Sequence, residues 1–484
     1  MPATARQLAE SLAARELTSM DALQRSFDAI DAHEGDIGAF LSTTDRDLLR
    51  SQAEGIDQAR ARGDTLPRFA GVPIAVKDNI AVQGERLTCG SRMLEHYRSP
   101  FDATVVGRLK DHQLLLLGKT NMDEFGFGSS TENSAFHRTA NPWNKNFVPG
   151  GTSGGSAAAV AAGYCPWTLG SDTGGSVRQP ASFCGIAGLR PTYGRVSRYG
   201  LVAYCSSMDT VGPLANDCSD LLELLKIIQG VDPFDATSSF RSPSAPGASP
   251  TRLGVLEELF APPCTPDVVH GREVIEKAAS ACGWRLSSFK LDYASEALAA
   301  YYIIASVEAA SNLARYDGVR YGYRAAEGSS WHDLVTRSRS EAFGDEAQRR
   351  ILLGTFAASA GYTDKYYETA CRARRLIHNA YMRLLDTCDV LVAPISPSPA
   401  WRLGEKASDP MEMYLSDVLS VSVPLAGLPA VAIPSHLSAE GLPIGVQLIG
   451  KPHSDESLLE LAALISKHVG FQNVPRHHAA SNGL

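Results

Sequence analysis

The chain carries no excess of basic charge: 45 Lys and Arg stand against 53 Asp and Glu, a formal net charge of −8. That argues against a protein that holds nucleic acid by its own surface, which needs a basic face. No window offers about 18 uncharged apolar residues, so an ordinary membrane-spanning helix is excluded. The opening residues, MPATARQLAESLAARELTS, lack an apolar h-region and a cleavage site, and no secretory leader is expected. The nine cysteines (Cys89, Cys165, Cys184, Cys205, Cys218, Cys264, Cys282, Cys371 and Cys388) never form a C-x-x-C pair. Scattered and odd in number, they read as structural thiols of a reducing compartment, and a cytoplasmic location is expected. Internal repeats and low-complexity bulk are missing too, and a chain with 44% hydrophobic residues can bury a large core.

What is present is an alternation of strand and helix signals. Thr18-Ser-Met-Asp21 has the form of a capping box, with Leu23, Phe27 and Ile30 following at helical spacing. Val72, Ile74 and Val76 alternate in a strand ending at Lys77; 102–111 reads as a helix and 114–117 as a strand buried on both faces. Residues 156–163 read as a helix capped by Ser156 and stopped by a glycine, and 167–172 as a short strand. Further strands are expected at 253–256, 285–291, 390–393, 431–434 and 445–449, with long helices over 294–315 and 363–385. Such alternation implies an α/β fold, a mostly parallel sheet covered by helices on both faces. A length of 484 residues allows about three domains on average size alone. The Ser- and Pro-rich stretch 235–251 is the best candidate for a surface linker, and strand signals of one type on both sides favour an excursion within one domain.

The 42 glycines matter by position. Gly150-Gly-Thr-Ser-Gly-Gly-Ser156 precedes the Ala-rich helix, and Asp172-Thr-Gly-Gly-Ser176 follows the next strand. The first cluster lacks both the G-x-x-x-x-G-K-[ST] lysine and the G-x-G-x-x-G spacing, which argues against a nucleotide cradle. Glycine loops also let a backbone approach a substrate and turn N–H groups toward a developing oxyanion. A serine in such a loop is a candidate nucleophile that needs a base. No histidine lies near either loop, and the twelve histidines, including His468, His477 and His478, form no Ser-His-Asp pattern. A lysine can serve if burial or neighbouring cations keep it neutral. Lys77, at the end of an apolar strand in Gly71-Val-Pro-Ile-Ala-Val-Lys-Asp-Asn79, is the candidate, against the plainer reading of a solvated lysine at a strand end.

GVPIAVKDN, PGGTSGGSAAAVAAG and LGSDTGGSVRQPASFCGIAGLRPTYGRVSRYG together resemble the amidase signature family. The resemblance implies one large domain over 1–484, with catalytic motifs in 71–200, a linker near 235–251 and a substrate-pocket part in 294–420. It further implies a Ser–Ser–Lys triad: Ser176 as acylated nucleophile, Lys77 as base, and Thr152, 24 positions before Ser176, in the place of the bridging serine. Threonine keeps the hydroxyl but its β-branch restricts χ1, and Ser153 stands beside it. Acyl transfer would follow, with backbone N–H groups of Thr173, Gly174, Gly175 and Ser176 as the oxyanion hole. Asp172 and Arg178 are expected to hold that loop rather than to do chemistry.

Further motifs narrow the resemblance. Gly118-Lys-Thr-Asn-Met-Asp-Glu-Phe125, Ser129-Ser-Thr-Glu-Asn-Ser-Ala-Phe136, the stretch from Ser311 to Gly322 and that from Asp409 to Asp417 are similar to the family of A subunits of tRNA-dependent glutamine amidotransferases. The similarity implies release of ammonia from glutamine for conversion of Glu-tRNA(Gln), or Asp-tRNA(Asn). It implies two other amidotransferase subunits as partners, a tRNA-binding B subunit with kinase activity and a small C subunit, with no cofactor on this chain and ATP and Mg used by the partner. By motif position Arg350 would take the α-carboxylate of glutamine and Asp417 its α-ammonium, with Tyr301, Tyr302 and Phe127 on the pocket wall; Phe127 stands where many relatives carry methionine. Two alternatives stay open: a free-standing amidase of aryl or aliphatic amides, and, because of Thr152, a catalytically silent assembly subunit.

Overall fold

The computed structural model describes residues 3–239, 251–407, 409–472 and 475. Among them eleven strands join in one sheet: β1 (Phe40–Thr43), β2 (Pro73–Lys77), β3 (Leu115–Thr120), β4 (Trp167–Asp172), β5 (Ala187–Arg190), β6 (Thr210–Ala215), β7 (Arg252–Leu256), β8 (Arg285–Phe289), β9 (Val390–Pro394), β10 (Ala430–Leu437) and β11 (Pro443–Ile449). Their order across the sheet is β1-β3-β2-β4-β6-β5-β10-β11-β9-β7-β8. Successive side chains of a strand point to opposite faces, and both faces are used. In β9, Val390 and Val392 enter one core while Leu391 and Ala393 enter another; in β10, Val431 and Ile433 share the first core, opposite Ala430 and Ala432. Helices therefore cover both faces, and the chain is a single α/β domain.

The sheet is mixed, but the expectation that parallel pairing dominates is corrected. Parallel neighbours are confined to the blocks β3-β2-β4 and β9-β7-β8. The other six neighbouring pairs are antiparallel. The strands that went unread, β1, β5 and β6, all belong to antiparallel pairs. β6 was hidden by Pro213, a residue that cannot donate to a ladder and is rare inside sheets. It is tolerated because the β5 register reaches only Leu214 and Ala215, leaving β4 alone beside Pro213.

The first capping box forms as read: Thr18 and Asp21 cap the helix Ser19–Ile37, whose Leu23, Phe27 and Ile30 are buried. The Ala-rich helix starts earlier than expected, as Gly154–Ala161 with Ser153 at the N-cap position. Ser156 lies inside its first turn, and its hydroxyl bonds the Leu169 carbonyl (3.1 Å) and the Thr120 hydroxyl (2.6 Å). Glycine at the start is a steric requirement, since a Cβ on Gly155 would stand 2.5 Å from the carbonyl oxygens of Ala39 and Asn121. The long helices run Ala297–Leu313 and Tyr367–Leu385, with Asp345–Ala357 packed on the first.

Residues 240–250 of the expected linker, and His477 and His478, lie outside the described residues. The stretch leading into that linker is pinned: Asp235 accepts from the Arg198 amide at 2.8 Å, and the Ser239 amide donates to Gly194 at 2.8 Å. All nine cysteines are free thiols, and no described helix is long and apolar enough to cross a membrane. For function the key consequence lies in β3-β2-β4. Parallel strands end on the same edge, so Lys77, Thr120 and Asp172 reach one side of the sheet, where open α/β sheets characteristically bind ligands.

Candidate active site

Lys77 ends β2 and is wholly buried. Its Nζ bonds three neutral hydroxyls: Thr152 Oγ1 at 2.6 Å, Ser153 Oγ at 2.9 Å and Ser171 Oγ at 3.0 Å. The adjacent carboxylate is otherwise engaged, because Asp78 pairs with buried Lys119 at 3.1 Å and accepts from the Thr88 amide. Burial pulls the Lys77 ammonium down to about 7, against the buried acids Asp123, Asp172 and Asp209, which favour its charge. A lysine that stands near half-neutral at physiological pH is suited to act as a base.

Thr152 follows a cis peptide bond from Gly151, and its hydroxyl lies 3.9 Å from where a Cβ on Gly126 would stand. Gly126 lines a narrow cavity together with Gly128, Gly174, Gly175 and Ser176 on one side and Tyr204, Tyr301, Tyr302, Arg350 and Asp417 on the other. The Ser153 amide donates to the Ser176 carbonyl at 3.1 Å, which ties the two glycine loops together. Asp172 holds the second loop: it accepts from Arg178 Nε at 3.0 Å, Arg190 Nη1 at 3.0 Å and the Val177 amide at 3.2 Å. The two guanidiniums hold its carboxyl well below the usual carboxylate range, although burial alone would raise it. Asp172 and Arg178 thus frame the loop from behind. The Thr173 side chain points away to donate its hydroxyl to Asp209 at 2.6 Å, and Gly174, Gly175 and Ser176 line the cavity. Glycine is required at 174, where a Cβ would stand 2.5 Å from the Tyr301 hydroxyl.

The opposite wall carries one cation and one anion. Arg350, on the buried face of Asp345–Ala357, lies against the packed ring pair of Tyr302 and Tyr414, whose centroids are 4.5 Å apart and each 4.5 Å from its guanidinium carbon. It donates from Nε to Glu346 at 2.5 Å and from Nη1 to the Tyr204 hydroxyl at 3.1 Å. Asp417 accepts from Ser129 Oγ at 2.8 Å and from the Tyr302 hydroxyl at 3.0 Å. Burial raises its carboxyl to about 6, which leaves it mainly anionic at neutral pH. The side chains are drawn in on one another, and the free volume is about 10 Å³.

Of the expected residues, Lys77 and Thr152 meet directly, and Ser176, Gly174, Gly175, Tyr301, Tyr302, Arg350 and Asp417 share the cavity. Phe127 packs on two of these cavity residues, its ring centroid 6.0 Å from the Arg350 guanidinium carbon. It is fully buried between the cavity-lining Gly126 and Gly128, its ring 4.8 Å from that of Tyr204 in an edge-on contact. Sequence reading missed Tyr204, which sits in a loop without motif, and the partners Ser129, Glu346, Ser171 and Asn79. Ser129, Ser171 and Asn79 fall inside stretches singled out for other residues, so the signal was there without a role attached.

Comparison with known proteins agrees with this geometry. The family profile described as Amidase matches residues 21–459. The chain is 48% identical to the A subunit of glutamyl-tRNA(Gln) amidotransferase from Symbiobacterium thermophilum, covering 97% of this chain and 96% of that protein. It is 49% identical to the corresponding protein of Synechococcus sp. (strain CC9311), covering 94% of each. The crystal structure of the A subunit of glutamyl-tRNA(Gln) amidotransferase from Thermotoga maritima superposes with a TM-score of 0.76 at 38% identity, covering 94% of this chain and 95% of that one. A buried lysine at a strand end, a threonine hydroxyl bonded to it and a serine on a glycine loop suit attack on an amide carbonyl, and the chain belongs to the amidase family of carbon–nitrogen hydrolases.

Proposed function

We propose that the protein hydrolyses the side-chain amide of glutamine and hands the ammonia to a partner, as the A subunit of a tRNA-dependent amidotransferase. The observation that carries the substrate is the joint presence of Arg350 and Asp417 on the cavity that holds Ser176. A free α-amino acid presents a carboxylate and an ammonium at one end. A guanidinium and a carboxylate across a small pocket match both charges, whereas a simple amide uses neither. The names borne by the relatives support the same substrate. In this reading Ser176 Oγ attacks the amide carbon, and its proton passes through the Thr152 hydroxyl to neutral Lys77. The tetrahedral oxyanion is met by backbone N–H groups of Thr173, Gly174, Gly175 and Ser176. The relay then returns the proton to the departing nitrogen, the C–N bond breaks, and ammonia leaves. Water cleaves the resulting ester to glutamate and regenerates Ser176. The B and C partners would bind tRNA and use ATP and Mg to activate Glu-tRNA(Gln) or Asp-tRNA(Asn) for amidation. The mildly acidic charge of −8 fits a protein that leaves tRNA to others.

The test is ammonia release from glutamine by the full chain, alone and with its partners, ATP and a misacylated tRNA. Slow release alone and stimulation by the complete mixture is the expected result. In the same assay Arg350→Ala raises KM for glutamine about 10- to 100-fold, the range for a charge-assisted hydrogen bond, with little change in hydrolysis of a short aliphatic amide. A chain that turns over simple amides alone and is indifferent to Arg350→Ala is instead a free-standing amidase.

The relay predicts a contrast at position 152. Thr152→Val keeps the shape but removes the hydroxyl 2.6 Å from Lys77, and kcat should fall about 10²-fold or more, the size of a lost proton-transfer step. Thr152→Ser keeps the hydroxyl and should stay within about threefold of the parent, since only a methyl is lost. Equal activity of the valine and serine variants would remove Thr152 from the mechanism.

A further inference from the structure

An oxyanion hole works only if its peptide groups face the right way, and each carbonyl of the 174–176 loop is held. The Gly175 carbonyl accepts from the Gln179 amide at 2.8 Å, and the Ser176 carbonyl from the Ser153 amide at 3.1 Å. The Gly174 carbonyl is held by a side chain. It accepts from the Ser420 hydroxyl at 2.5 Å and from no other donor among the described residues. That hydroxyl has one hydrogen and a second acceptor within reach, the Asp417 carbonyl at 3.1 Å. The shorter contact fixes its use: a carbonyl brings no hydrogen, and two oxygens come to 2.5 Å only with one between them. The Asp417 carbonyl is already supplied by the amides of Ser420 at 3.0 Å and Val421 at 3.3 Å.

Holding that carbonyl fixes the other end of the same peptide. The 174–175 bond is trans, so the Gly175 N–H points opposite to the Gly174 carbonyl and away from the Ser420 hydroxyl. The amides of Gly174, Gly175 and Ser176 donate to nothing among the described residues, and all three residues line the cavity. A peptide between two glycines has no Cβ on either side to restrain its rotation, so it needs an external pin. The geometry points to Ser420 as a positioning residue of the oxyanion hole: its hydroxyl pins the Gly174 carbonyl and so presents the Gly175 N–H to the developing oxyanion. Ser420 is itself buried and acts through this peptide rather than on substrate. The inference rests on Ser176 being the nucleophile.

The experiment measures kcat and KM for glutamine of the full chain from about pH 5.5 to 9.5, with folding checked by circular dichroism. Ser420→Ala removes the pin but keeps the backbone bonds of its turn, including the one its carbonyl accepts from Arg178 at 3.1 Å. It should lower kcat about 10- to 100-fold, less than the roughly 10²- to 10³-fold cost of an oxyanion donor removed outright. KM should stay within about twofold of the parent, and the acidic limb of the pH profile should not move, because the relay is untouched. Ser420→Cys keeps the shape with a weaker donor and should fall between parent and alanine, so it carries the test if the alanine variant does not fold. Glutamine binding by calorimetry to Ser176→Ala and to Ser176→Ala/Ser420→Ala should agree within about twofold, since bound substrate has not yet formed the oxyanion. Parent-like kcat in a folded Ser420 variant overturns the assignment, as does a loss that appears in KM and in glutamine binding, which would place Ser420 in the service of Asp417. Turnover by Ser176→Ala separates the two levels: parent-like activity there removes the nucleophile and this inference with it, whereas an inactive Ser176→Ala beside unaffected Ser420 variants overturns the Ser420 role alone.

Discussion

Ser176→Ala leaves a folded chain whose release of ammonia from glutamine is at least about 10³-fold slower, a loss of about 4 kcal/mol of transition-state stabilisation. The loss is expected in kcat, because the alcohol oxygen is needed only once the amide carbon is attacked, and glutamine binding rests on the opposite wall. Folding should survive. Ser176 is only partly buried, and the bond it offers the first glycine loop runs from its backbone carbonyl to the Ser153 amide at 3.1 Å, which alanine keeps. Direct evidence would be mass spectrometry of quenched enzyme, with a glutamyl ester on the Ser176 peptide of the parent and none on the variant. Activity within tenfold of the parent would sink the nucleophile assignment and leave the scaffold reading standing.

Lys77→Met comes second in size. It replaces a buried amine with an apolar chain of similar length, and kcat/KM should again fall by about 10³-fold, since the residues of such a relay act as a unit and their losses do not add. The pH profile supplies the sign. Burial holds the folded-state Lys77 near 7, well below its ordinary value. Below that pH the ammonium has no lone pair and cannot receive the Thr152 proton. Parent kcat/KM should therefore rise with pH through about 7 and then level, while residual activity of Lys77→Met shows no such limb. Lys77→Arg is expected to be as slow as Lys77→Met, because a guanidinium stays charged throughout. A parent profile flat between about pH 6 and 8 would contradict a lysine base.

The parts of the fold that were legible are those where local pattern and tertiary environment agree. β2, β3 and β4 are buried on both faces and read as short apolar runs; the helix after Thr18 announces itself by its cap. β6 was illegible because Pro213 and Gly212 violate strand preference, and only the neighbouring β4 and the truncated β5 register explain why they fit. The start of the Ala-rich helix was misread for a related reason: Ser156 is a good cap in isolation, but its hydroxyl is used sideways, against β3 and β4. In the site, Lys77, Thr152 and Ser176 were legible because each sits in a dense motif. Arg350 and Asp417 were named only through resemblance, since an arginine in Gln348-Arg-Arg-Ile351 looks like helix surface until its burial against the Tyr302 and Tyr414 rings is seen. Tyr204 owes its role to a contact with Arg350 distant in sequence, which no local pattern records, whereas Glu346 meets Arg350 one helical turn away and lacked only a reason to be singled out.

The two walls of the cavity rest on different supports. Lys77 ends β2, Ser176 sits on the loop after β4 and Thr152 on the loop before the Ala-rich helix, all within the first 176 residues, whereas Tyr301, Tyr302, Arg350 and Asp417 come from two helices and a loop between positions 301 and 417. Selection can therefore act on one wall with little disturbance of the other. Exchange of the helical wall would change which acyl group is admitted while leaving the means of cleaving it in place, so a lineage built on this architecture can acquire new substrates without passing through an inactive ancestor.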